Sequence, residues 1–180
     1  RCTCRTGVKS VNDIIYYSVI DMRLDGGLGD VVQKNILLYD DYVESGEMSA
    51  VKHSNGIDWW VLANSYGDNE FLTFLITPDT ITGPFSQNFG PSMEGSNTGA
   101  GALVFSPHGS KIVRTNINFN PFIYDFDRST GQLSNFQELN LNNGSTFRNT
   151  SFSPNGRFLY LSNTVELYQL DMEAADLVDS

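Results

Sequence analysis

Two similar nonapeptides, FSPHGSKIV at 105–113 and FSPNGRFLY at 152–160, stand 47 positions apart. A near-copy at that distance signals an internal repeat, and a repeat restricts the architecture before any single residue does. In both copies a short apolar run enters Ser-Pro-x-Gly and a second apolar run leaves it. Pro presets φ for the second position of a type I turn, and Gly tolerates the positive φ needed where the chain leaves. Each copy therefore predicts two antiparallel strands joined by a tight turn.

The pattern extends beyond the turn. The copy at 101–139 predicts strands at 101–105, 110–116, 121–126 and 132–139, with turns at 106–109 and 127–131. The copy at 147–180 predicts a strand ending at Phe152, strands at 157–162 and 165–170, a turn at 171–175 and the start of a fourth strand. A more diverged copy spans 48–90, where HSNG at 53–56 replaces Ser-Pro-x-Gly. Its strands are expected at 48–53, 57–64, 70–76 and 85–89. A partial unit at 14–38 reads as two strands joined by DGGLGD, preceded by an irregular segment, 1–13.

Repeating units of about 40–45 residues with four short antiparallel strands are the mark of a β-propeller. The expected fold class is all-β, about three and a half blades of a larger, seven-bladed ring. Face-to-face stacking buries what one sheet cannot bury alone. The expected core is Trp60, Leu62, Leu72, Phe74, Ile112, Phe122, Tyr124, Phe126, Leu159, Leu161, Leu167 and Leu170. An arc of this size leaves two raw faces, so further blades or another chain are expected to close the ring.

Composition agrees with a globular β protein: 40% of residues are hydrophobic and 18% charged. The formal net charge of −10 argues against a nucleic-acid partner, because an acidic surface repels phosphates. No apolar run is long enough for a membrane-spanning helix. Cys2 and Cys4 are too close for an unstrained disulfide, and two thiols fall short of a structural zinc site. They read as part of an irregular end.

Three stretches, YYSVIDMRLDGGLGDVVQKN, AVKHSNGIDWWVL and FSPHGSKI, resemble the N-terminal propeller regions of large secreted surface proteins from Bacteroidetes. Many of those proteins carry a type IX secretion signal associated with gliding. The patterns Y-S-V-x-D-M…G-G-x-G-D-V and H-x-N-G-x-D-W-W carry the resemblance, which covers about 14–178. F-S-P-x-G also occurs in lactonase-like, WD-repeat and TolB-like propellers. The resemblance implies an extracellular or cell-surface binding or scaffold module with no catalytic motif and no cofactor. RCTCRTGVKS departs from the pattern.

His108 reads as a plain turn residue. His53 stands where the other copies have Ser106 and Ser153, which points to turn capping rather than to a general base. No serine lies in Gly-x-Ser-x-Gly, and no catalytic triad can be assigned. DGGLGD joins two strands, whereas a phosphate loop opens a helix, and Asp25 and Asp30 supply too few ligands for a calcium loop. Trp59 and Trp60 must point to opposite faces of one strand, and both are expected in the interior.

A ligand site, if present, is expected on the rim formed by loops between second and third strands. The candidate residues are Tyr66, Asp68, Asn69, Asn118, Asn120 and Asn163, whose polar and aromatic character suits a carbohydrate or protein ligand. The expected function is a non-catalytic binding module. The alternative is a lactonase-type hydrolase, which uses the same fold with polar residues converging at the channel.

Overall fold

The computed structural model describes residues 14–92, 101–141, 147–174 and 177. The chain divides into two units, Arg1–Val43 and Glu44–Ser180. In the first, β1 (Ile15–Asp21) and β2 (Asp30–Tyr39) form a two-stranded antiparallel sheet. DGGLGD is the connection, with a short 3-10 turn at Asp25–Gly27.

The second unit is built of antiparallel sheets in chain order. β3 (Val43–Lys52), β4 (Trp59–Ser65), β5 (Glu70–Ile76) and β6 (Ile81–Asn88) form the first blade. β7 (Gly101–Phe105), β8 (Lys111–Asn116), β9 (Phe119–Asp127) and β10 (Gln132–Glu138) form the second. β11 (Asn149–Phe152), β12 (Phe158–Ser162) and β13 (Leu167–Asp171) form a three-stranded sheet, the described part of the third. The fold is all-β, a partial propeller, as the repeat requires. The fourth strand expected after the turn at 171–175 lies outside the described residues, as do Cys2 and Cys4.

The repeated turns share one geometry. The amides of Gly56, Gly109 and Gly156 donate to the carbonyls of His53, Ser106 and Ser153 at 3.0, 2.8 and 2.8 Å. The serines at the first turn position also work alike. Ser106 Oγ accepts from Lys111 N and Ser153 Oγ from Phe158 N, at 3.1 and 2.9 Å. His53 Nδ1 accepts from Asn55 N at 3.0 Å, so its ring caps the turn while stacking against Trp60. His108 is exposed on its turn.

Period-2 alternation decides which interface each side chain enters. Ile112, Phe122, Tyr124 and Phe126 pack with Val51, Trp60, Leu62 and Phe71 of the first blade. Val113 and Ile123, one residue out of phase, pack with Leu159, Leu161 and Leu170 of the third. The middle blade is thus dry on both faces, which is why its strands read as continuous apolar runs.

Two core expectations fail for the same reason. Leu167 is 71% exposed, because Tyr168 and Leu170 take the face turned toward the second blade and leave Leu167 on the other. Trp60 is 5% exposed but Trp59 is 45% exposed, on the face of the first blade turned away from the second. The remaining expected core residues, Leu62, Leu72, Phe74, Ile112, Phe122, Tyr124, Phe126, Leu159, Leu161 and Leu170, are buried with Trp60.

Candidate functional site

Where β3 and β7 converge, the backbones approach closely. Gly46 has φ +82°, and a Cβ on it would stand 2.7 Å from the Gly101 carbonyl oxygen. A Cβ on Gly101 would in turn overlap Glu47 Oε1 and the Thr115 carbonyl. Two glycines therefore make room for a carboxylate between blades.

That carboxylate faces a guanidinium. Arg114 Nε on β8 donates to Glu47 Oε2 on β3 at 2.5 Å, and the two side chains are 1% and 0% exposed. Arg114 also lies over the Phe71 ring, 5.9 Å from its centroid. Glu44, three residues earlier on β3, is buried as well. Burial pushes the Glu47 carboxyl up to about 7, against the attraction of Arg114 and helped by the negative field of Glu44. Burial likewise raises the Tyr124 phenol. Buried polar atoms gather in this interface: Glu47 Oε1, Arg114 Nη2 and both amide atoms of Asn64 have no protein hydrogen-bond partner. Taking such groups out of water is costly unless they are paired. A carboxyl held near neutrality in such a place marks a functional-site candidate.

The charges reach upward to a rim loop. Glu44 Oε1 accepts from Gly67 N at 2.8 Å, and Arg114 Nη1 donates to the Asp68 carbonyl at 3.4 Å. The β4–β5 loop, which carries Tyr66, Asp68 and Asn69, is thus held from beneath by two buried ions. Asn69 Nδ2 donates to the Gly90 carbonyl at 2.7 Å and ties the loop to the segment after β6. The other rim candidates stand apart from this loop. Asn118 N donates to Asn116 Oδ1, and Asn120 Nδ2 to Glu138 Oε1. Asn163 Oδ1 accepts from Val165 N and Glu166 N in the third blade. The structure brings together Tyr66, Asp68 and Asn69; Asn118 lies in the β8–β9 turn of the second blade, Asn120 stands not on a loop but already on β9, and Asn163 lies on a loop of the third blade.

Sequence reasoning missed Glu44, Glu47 and Arg114. A signal for Arg114 was available. The pairs Phe105 with Ile112 and Phe152 with Leu159 align β8 and β12, which puts Arg114 where the third blade has Leu161. The same count from the turn places Val61 there in the first blade. A charge in an apolar repeat slot is a departure that asks for a reason.

The comparisons with known proteins bear on that reason. Residues 40–179 match the family model described as Lactonase, 7-bladed β-propeller. No curated protein matches. Among solved structures, the periplasmic gluconolactonase PpgL of Pseudomonas aeruginosa is similar at TM-score 0.50 and 19% identity, over 68% of this chain and 34% of that one. A 6-phosphogluconolactonase-like protein of Bacteroides fragilis is similar at TM-score 0.62 and 16% identity, over 88% and 44%. Hydrazine synthase of Kuenenia stuttgartiensis is similar at TM-score 0.53 and 12% identity, over 91% and 48%. These structures share the fold, and this chain spans less than half the length of each.

The expectation of a non-catalytic binding module is corrected by the family match. By the match over 40–179 the chain belongs to the lactonase family of seven-bladed β-propellers.

Proposed function

We propose that this chain contributes blades to a lactone-hydrolysing propeller whose substrate is the cyclic ester of a sugar acid. Water adds to the ring carbonyl, the ring C–O bond breaks, and a hydroxy acid leaves. The observation that carries the reading is Arg114, buried with two carboxylates at a position that its own repeat fills with Val61 and Leu161. In a chain of the lactonase family, such a departure points to the family's chemistry rather than to stability. Arg114 and Glu47 lie out of solvent reach, so substrate contact falls to the rim they support. We assign that contact to Tyr66, Asp68, Asn69, Asn118, Asn120 and Asn163, whose aromatic and polar groups suit a ring bearing several hydroxyls.

The charges on the rim side favour an uncharged lactone. Asp68, Glu70, Glu138 and Glu166 belong to that end of the blades, with Arg148 as the exposed cation among the described residues there. A phosphorylated lactone meets net repulsion on approach. The extracellular or cell-surface location remains part of this reading, supported by the likeness of the Y-S-V-x-D-M and H-x-N-G-x-D-W-W stretches to Bacteroidetes surface propellers.

The test is hydrolysis of glucono-δ-lactone by the full-length protein, followed by acid release in weak buffer, with 6-phosphoglucono-δ-lactone beside it. Acceleration over the spontaneous rate, larger for the unphosphorylated substrate, is expected. No acceleration with either lactone rejects the proposal.

A further inference from the structure

We propose that Glu44, Glu47 and Arg114 form a clamp that fixes the Tyr66–Asn69 loop as one wall of the substrate site, making the loop's position depend on the docking of the first two blades. As a catalytic device the clamp rests on the lactonase reading above; as a structural device it does not.

The loop belongs to the first blade, between β4 and β5, and so do Glu44 and Glu47. Arg114 belongs to the second. Arg114 makes two connections back across the interface, to the Glu47 carboxylate and to the Asp68 carbonyl. Glu44 holds the neighbouring amide of Gly67. Consecutive loop residues, Gly67 and Asp68, are therefore gripped through one donor and one acceptor by ions of opposite sign. Charge-assisted hydrogen bonds are stronger than neutral ones, and the dry setting strengthens them further. An apolar residue in the Arg114 slot, as at Val61 and Leu161, would fill the interface but could not hold the Asp68 carbonyl. The polar choice thus supplies position where packing alone would supply only burial. These three residues are buried; they act through Tyr66, Asp68 and Asn69 and are positioning residues.

The decisive measurement is amide hydrogen exchange in the full-length protein, compared with the double variant Arg114→Leu/Glu47→Leu. That variant restores apolar character to both positions, so its folding does not depend on a half-removed ion pair. Exchange at Gly67, Asp68 and Asn69 is expected to accelerate about tenfold or more, with the amides of β8 and β9 unchanged, since local opening is governed by local contacts. Glu44→Leu, which removes the acceptor of Gly67 N, should accelerate the same amides. Arg114→Lys keeps the charge and should restore part of the protection. If lactone hydrolysis is present, kcat should fall in the double variant while thermal stability holds. Unchanged loop exchange overturns the clamp, and so does acceleration spread evenly through both blades. A protein that hydrolyses no lactone but shows the loop-confined effect retains the clamp and loses only the activity.

Discussion

Arg114 in the second blade occupies the place that Leu161 holds in the third, each paired across from the innermost strand and each buried against the preceding blade. One repeat position thus carries a hydrocarbon in one copy and a guanidinium in another. The difference lies in what the preceding blade offers. The first blade presents Glu47, whereas the second presents Val113 and Ile123.

Breaking this pair from one side should cost much more than replacing it. Glu47→Ala leaves Arg114 buried and unpaired, and about 3–5 kcal/mol of stability should be lost. Glu47→Leu with Arg114→Leu should be close to neutral or stabilising. Urea unfolding of both variants beside the parent checks the contrast.

The pH dependence has a definite sign. The Glu47 carboxyl sits at about 7 in the folded chain, above its ordinary value of 4.5. The folded state therefore binds the extra proton more readily than the unfolded one. Its contribution to stability is fully present below about 4.5 and declines as pH rises through about 7. Unfolding free energies between pH 5 and 8, at intervals of about one unit, should fall with pH in the parent. The Glu47→Gln protein should lack this component of the slope.

Turn glycines of like geometry should respond differently to alanine. Gly56 and Gly109 have φ +76° and +71°, so both substitutions strain the backbone. A Cβ on Gly56 meets nothing within 4 Å, whereas one on Gly109 would overlap Val51 Cγ2 of the neighbouring blade. Gly56→Ala should cost about 1–2 kcal/mol and Gly109→Ala clearly more. Thermal melts of the two proteins decide the order.

The adjacent tryptophans provide a further contrast. Trp60 is packed between blades and its Nε1 donates to the Arg128 carbonyl at 2.9 Å. Trp60→Ala should cost about 3–5 kcal/mol. Trp59, with Lys52 Nζ 5.9 Å from its ring centroid, is half-exposed, and Trp59→Ala should cost far less. Fluorescence of the Trp59→Phe protein should be blue-shifted and shielded from acrylamide, and that of Trp60→Phe should not.

What the linear chain determined is the class of fold and the form of its turns. Ser-Pro-x-Gly and HSNG are local instructions, carried by φ preferences and short hydrogen bonds, and they recur because each blade needs the same corner. The apolar runs around them sufficed to name most of the core, including Ile112, Tyr124 and Leu159. Tertiary structure decided which face of each strand found a neighbour, and so left Trp59 and Leu167 on faces turned away from the second blade. It also decided the site. Glu47 looks like an ordinary surface charge, and although Arg114 breaks the apolar pattern of its repeat, nothing local links it to a residue 67 positions away. Only the stacking of two sheets brings them together, because Coulomb attraction and desolvation act through space and leave no mark in local spacing.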